Sequence, residues 1–181
     1  AKTIVKGERT TGMNEIIDTG DILASMLQDV FTEVDIYQDD IRFLQAQFLS
    51  PVATHGAIAF YRYFIEDTTY VDGNKCIQVS FGPNNSRDFG FTGSLYIMAD
   101  STFRIAKADI SIPIKSTVNY VKRINIAQQF TQLPSGEQVL AKNDMFVLLE
   151  AAKFLKTLEV KRYTEYTNYS FEPLSDRLFR F

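Results

Sequence analysis

The chain has 181 residues, 45% of them hydrophobic and 23% charged, with a formal net charge of -3. That length suits one domain, and the balance of charge carries no basic surplus of the kind that nucleic acid binding needs. With one cysteine, Cys76, and one histidine, His55, neither an intrachain disulfide nor a cysteine/histidine zinc site can form. No run of about 18 apolar residues offers a helix that spans a bilayer.

In chain order, residues 1–12 are polar and mixed, and read as an N-terminal extension. From Met13 the apolar residues fall at helical spacing: Met13, Ile16, Ile17, Ile22, Leu23, Met26, Leu27 and Val30. This predicts a helix over Met13–Asp29, interrupted at Gly20 and restarted by Asp21 as an N-cap. After Tyr37 the period changes to two. Ile41 and Phe43 alternate with Arg42 and Leu44 until Pro51 closes the segment. Ala57–Ile65 reads as a strand with apolar or aromatic residues on both faces, and Asp67–Gly73 as a connection ending in the hairpin signal Asp72-Gly73.

The partner strand carries Ile77, Val79 and Phe81 on one face and Cys76, Gln78 and Ser80 on the other. A polar loop, Gly82–Asp88, leads to a strand over Phe91–Met98. Phe103–Ile112 returns, and its phase slips between Ile105 and Ile110, which predicts a bulge. Asn119–Phe130, Glu137–Glu150 and Lys153–Phe171 supply three further strands, the first two joined through Pro134-Ser135-Gly136. Abundant aromatics, 15 Phe and 9 Tyr, fit a strand-rich chain. Short turns between successive strands make the sheet an antiparallel meander. The expected class is α+β: a curved antiparallel meander, a half-barrel, packed on an N-terminal helix. The expected single domain spans 13–172, with 173–181 a C-terminal junction to a missing segment.

Few residues offer chemistry. A catalytic histidine needs an orienting carboxylate and a nucleophile. His55 has Ser50, Thr54 and Cys76 as candidate companions, but no nucleophile elbow is present. Asp35, Asp39 and Asp40 lack the spacing of a calcium loop. No cofactor or metal is expected. The densest aromatic run is Phe60-Tyr61-Arg62-Tyr63-Phe64, which places Tyr61 and Tyr63 on one face and Arg62 on the other. An arginine among aromatics serves either as a stacked or paired core group or as a contact platform. Tyr61, Arg62, Tyr63 and Tyr96 are the candidate ligand or partner contacts.

The order of several motifs resembles a known family. These are Ser50-Pro51, Phe60-Tyr61-Arg62-Tyr63, Glu66-Asp67-Thr68, Asp72-Gly73-Asn74-Lys75-Cys76, Phe81-Gly82-Pro83, the run 89–97 (FGFTGSLYI), Val118-Asn119-Tyr120-Val121 and the run 126–130 (IAQQF). Together they resemble the middle domain of uncharacterised envelope proteins of Gram-negative, Bacteroidetes-type bacteria. The resemblance covers roughly Met13–Phe171. It implies a carboxypeptidase-regulatory-like sandwich upstream, an outer-membrane barrel downstream, and a place on the periplasmic side of the outer membrane. It implies no catalytic residues. Leu95-Tyr96-Ile97 before the turn at Asp100 is also similar, by analogy of fold, to the strand-turn-strand of LolA/LolB-like lipoprotein carriers.

Three functions are expected in order. The first is a non-enzymatic interaction or scaffold domain that contacts its own neighbouring domains or an envelope protein. The second is a carrier or sensor of a lipid or other apolar ligand in a half-barrel hollow. The third is a hydrolase using His55 with Ser50 or Cys76. A filled sheet interior favours the first, and a lined hollow the second.

Overall fold

The structure, a computed structural model, describes residues 33–43, 46–112, 121–151 and 156–171. The helix expected over Met13–Asp29, the extension 1–12 and the junction 173–181 lie outside the described residues.

Nine strands are described. A hairpin pairs β1 (Asp40–Phe43) with β2 (Ala46–Leu49). A single helical turn, α1 (Ala57–Phe60), precedes the main sheet. The sheet contains β3 (Tyr61–Val71), β4 (Asn74–Pro83), β5 (Thr92–Met98), β6 (Ile105–Ile112), β7 (Val121–Gln132), β8 (Gln138–Ala151) and β9 (Lys156–Glu165). Each strand pairs antiparallel with the next in sequence, giving an open seven-stranded meander.

The turns follow from local chemistry. Val71 pairs with Asn74 across the two-residue loop Asp72-Gly73, where φ is 48° and 79°. Positive φ at both central residues is the requirement of a type I′ turn, whose twist matches that of paired strands. The β7–β8 loop closes with Gly136 at φ 100°, its N–H donating to the Leu133 carbonyl at 2.9 Å. The phase slip in β6 is a bulge: Tyr96 pairs with Lys107 and Ile97 with Ile105, so Ala106 is left over.

The register sorts side chains onto two faces. One face carries Tyr61 and Tyr63, Val79 and Phe81, Leu95, Ala108 and Ile110, Ile124 and Ile126, and Met145 and Val147. All of these except Val79, which is also buried, belong to one continuous core together with Val34, Ile36, Ile41, Phe43 and Phe48 of the hairpin and the segment before it. Each fully buried aliphatic or aromatic side chain contributes roughly 1.5–3 kcal/mol, so the hairpin is held on the sheet mainly by apolar burial. Phe48 stacks on Phe91 at 4.8 Å and on Phe89 at 5.0 Å.

Hydrogen bonds fix where that cover sits. The Gln128 amide, 1% exposed, donates to the Val34 carbonyl at 2.6 Å and to Asn143 Oδ1 at 3.3 Å. Both of its N–H groups are then engaged, and among the described residues Gln128 Oε1 is buried without a partner. Gly93 lies between Phe81 and Ile110 on the covered face, where a Cβ would stand 1.9 Å from the Asp109 carbonyl oxygen. The close approach of the β6 backbone therefore requires glycine at this position.

Three expectations need correction. The period-two stretch after Tyr37 is a hairpin, because Phe43 turns back to pair with Ala46. Ala57–Phe60 is a helical turn: Gly56, at φ 85°, reverses the chain, and its carbonyl accepts from the Ala59 and Phe60 N–H groups. Asp67–Val71 is strand, not connection, because a bulge between Ile65 and Asp67 lets β3 stay paired to its end. Among the described residues the only helix is α1, and the element covering the sheet is the β1–β2 hairpin.

Candidate functional site

The four aromatic and basic candidates divide between the two faces of the sheet. Tyr61 and Tyr63 stand on the covered face, opposite Pro83 and Phe81. Tyr61 is 2% exposed, and its hydroxyl donates to the Leu49 carbonyl at 2.6 Å while accepting the Phe91 N–H at 3.2 Å. Burial pushes its phenol up to about 12, with the Phe91 N–H opposing the shift. Tyr63 donates to the Pro51 carbonyl at 2.7 Å, and burial also raises its pKa. These two hydroxyls tether β2 and the turn after it to the sheet edge. They satisfy carbonyl groups that would otherwise end unpaired beside the core.

Arg62 and Tyr96 are on the opposite, outer face. Arg62 Nε donates to Asn84 Oδ1 at 2.9 Å, and Asn84 in turn donates to the Ala59 carbonyl at 2.6 Å. The guanidinium thus braces the loop after β4 against α1. Tyr96 carries the Lys107 ammonium 5.0 Å from its ring centroid, and that ammonium pairs with Asp109 at 2.7 Å. Burial and the neighbouring Asp109 charge raise the Tyr96 phenol, and Lys107 works against them. The structure therefore joins Tyr61 with Tyr63, separates both from Arg62 and Tyr96, and builds no single pocket from the four.

The outer face holds a different constellation. Asp109, Ala127, Asp144 and Tyr163 lie in one cross-strand row over β6–β9, and Ser111, Asn125, Phe146 and Lys161 in the next. Alanine at position 127 leaves a low floor, and the rows around it line an open groove of about 300 Å³. Asn125 Nδ2 donates to Ser111 Oγ at 2.7 Å, and Lys161 Nζ lies 5.7 Å from the Phe146 ring centroid. A second hollow, of about 280 Å³, is lined by Glu33, Asp35, Gln38, Asp40, Ile41 and Arg42. The groove was readable in principle as the non-core phase of β6–β9, where polar residues recur at every second position. What alternation does not give is the alignment of those positions across four strands.

The nucleophile candidates are committed elsewhere. The Ser50 hydroxyl, fully buried, donates to the Ile36 carbonyl at 2.5 Å and accepts the Val52 N–H at 3.2 Å. His55 is exposed and meets Asp39 at 3.5 Å. The Thr54 N–H, the largest influence, and then His55 hold the Asp39 carboxyl below its ordinary range. Cys76 is buried, and burial raises its thiol away from the reactive thiolate form. Among the described residues no three histidine, cysteine, aspartate or glutamate side chains converge as a metal site. No described helix is long and apolar enough to cross a membrane.

A family model matches residues 10–169, and its description is a family of unknown function, DUF5686. The chain belongs to DUF5686. The match takes in every strand of the meander as well as the β1–β2 hairpin, so the covered sheet is the architecture to which the DUF5686 assignment attaches. Neither the curated proteins nor the solved structures contain a match to this DUF5686 chain.

Proposed function

We propose that this DUF5686 chain is a non-enzymatic interaction domain on the periplasmic side of the outer membrane, presenting surfaces to neighbouring domains or envelope proteins. The observation that carries the reading is the inner face that the described hairpin covers. A carrier of an acyl chain needs an enclosed apolar hollow in which most of the ligand is buried. In a half-barrel that hollow is the concave face of the sheet. Here Val34, Ile36, Ile41, Phe43 and Phe48 fill the covered face, each at most 3% exposed. Two hydrogen-bonded tethers from Tyr61 and Tyr63 hold the cover down. The two hollows over the outer face and beside residues 33–42 are open and edged with charged groups.

What supports a non-catalytic role is the engagement of Ser50 with backbone groups and the burial of Cys76, which raises its thiol above the ordinary range. Support for the envelope setting comes from the motif order, which resembles a domain lying between a carboxypeptidase-regulatory-like sandwich and an outer-membrane barrel. Native mass spectrometry of the chain purified from a Gram-negative host tests the reading. The expected spectrum shows the bare polypeptide mass. A lipid retained at one per chain overturns the reading in favour of a carrier.

A further inference from the structure

β3 forms one edge of the seven-stranded sheet, and among the described residues no strand lies along its outer side. A bare edge presents a row of main-chain donors and acceptors that templates another strand. Edges are commonly kept apart by lysine, proline, other charged side chains or bulges. The 11 residues Tyr61–Val71 contain no lysine or proline, and their charges, Arg62, Glu66 and Asp67, with the bulge at Glu66, are of both signs and complementary in the pairing below. They do contain exposed apolar side chains: Phe64 at 58%, Ile65 at 78% and Tyr70 at 70%. Phe64 and Ile65 lie on opposite faces, so neither the hairpin nor any single covering element accounts for both.

The charges on this edge are ordered. Arg62 stands opposite Gly82 and Phe64 opposite Ser80, both on the outer face. Glu66 is the bulged residue, and its carboxylate accepts from Ser80 Oγ at 2.5 Å, which places it on that same face. Asp67 follows directly. The strand is therefore basic before Phe64 and acidic after it.

We propose that β3 pairs antiparallel with β3 of a second copy about a twofold axis at Phe64, joining two seven-stranded sheets into one. In this register Arg62 faces Glu66 of the partner subunit, Phe64 faces its own equivalent, and Tyr63 faces Ile65 of the partner subunit. A shift of two residues in one direction sets Arg62 against Phe64. A shift in the other sets Phe64 against Glu66. Parallel pairing sets arginine near arginine. A twofold contact uses the same patch twice, so each favourable opposition occurs twice. The proposal rests on the reading of the chain as an interaction domain and names its partner.

Sedimentation velocity of the 181-residue chain across a concentration series tests it. The expected result is a monomer–dimer equilibrium. Arg62→Glu weakens the dimer about tenfold, and Arg62→Glu combined with Glu66→Arg restores it to within about threefold. Phe64→Lys separates the copies while leaving the far-ultraviolet spectrum of the sheet unchanged. A monomer at every concentration overturns the proposal, and so does a dimer indifferent to Arg62→Glu or not restored by the exchange. A monomer that also carries no lipid removes the dimer alone, whereas bound lipid removes the interaction reading beneath it.

Discussion

Tyr61 shows most directly how one side chain does two things in this fold. Its ring packs edge-on to Phe81 at 5.7 Å, and its hydroxyl ties β2 to the sheet through Leu49. Tyr61→Phe keeps the ring and removes the tether, leaving the Leu49 carbonyl and the Phe91 N–H short of a partner. The expected cost is about 1–3 kcal/mol, measured by urea denaturation. The same residue sets a pH dependence. Its folded-state pKa, pushed up to about 12 by burial, lies above the ordinary 10.0 of a tyrosine. The neutral phenol is therefore favoured by folding. That stability is complete below pH 10 and is lost as the pH climbs through about 12. Tyr166, raised to about 12 by burial and by its bond to Glu33, adds to the same window. Thermal melts should fall over that window in the native chain and fall less steeply in Tyr61→Phe. Equal slopes would contradict the assignment.

Two glycines at the residue scale separate strain from collision. At Gly73 a Cβ meets nothing within 4 Å, and only φ 79° resists it. At Gly93 the Cβ meets the Asp109 carbonyl at 1.9 Å, and main chain cannot rotate away. Gly73→Ala should cost about 1 kcal/mol. Gly93→Ala should cost about 3 kcal/mol or more, because β5 and β6 must part. Comparison of their urea midpoints checks the order, and a milder Gly93→Ala would contradict the close approach.

At the scale of elements, the sequence was legible wherever one face is buried and the other is not. Val79 and Phe81 are buried and alternate with the half-buried Gln78 and Ser80 because one face of β4 turns to the core, and Cys76 is the exception, buried on the other face. Asp72-Gly73 was legible because an I′ turn demands those residue types. The bulge at Ala106 was legible as a broken phase. Three features were not. The β1–β2 hairpin keeps a period of two through its reversal, so one long strand and two short ones look alike. The second half of β3, Asp67–Val71, extends past the cover and is exposed or half-exposed on both faces, so it carries no alternation to read. α1 is apolar and short, and its cause is the left-handed Gly56 rather than any helical spacing. The site had the same limit: alternation put Tyr61 and Tyr63 on one face, but only the packed hairpin decides that this face is closed. Phe48→Ala tests that packing. With Phe48 buried between Phe89 and Phe91, the loss should be about 3–5 kcal/mol. Hydrogen exchange should rise first over Asp40–Leu49, because the hairpin is a short element held by side chains rather than by the main-sheet ladder. A uniform rise across the meander would contradict that account.

For the molecule as a whole, the question is what remains available once the core is complete. The inner face is occupied by the hairpin. The outer face is a mosaic of charged, amide and aromatic groups, with Lys107 paired to Asp109 and Asn125 bonded to Ser111. Such a surface suits contact with other proteins, because its polar groups remain partly solvated and its few exposed aromatics are spread out. The meander also places β3 and β9 at opposite edges of the seven-stranded sheet, so among the described residues a strand added to that sheet pairs with one of those two. The account stands or falls on the hairpin filling the space that a carrier would keep open. Titration of the purified chain with a fluorescent fatty acid probe tests this most directly. A filled inner face predicts no saturable binding, and saturable binding of one probe per chain that is lost when detergent strips the site would contradict it.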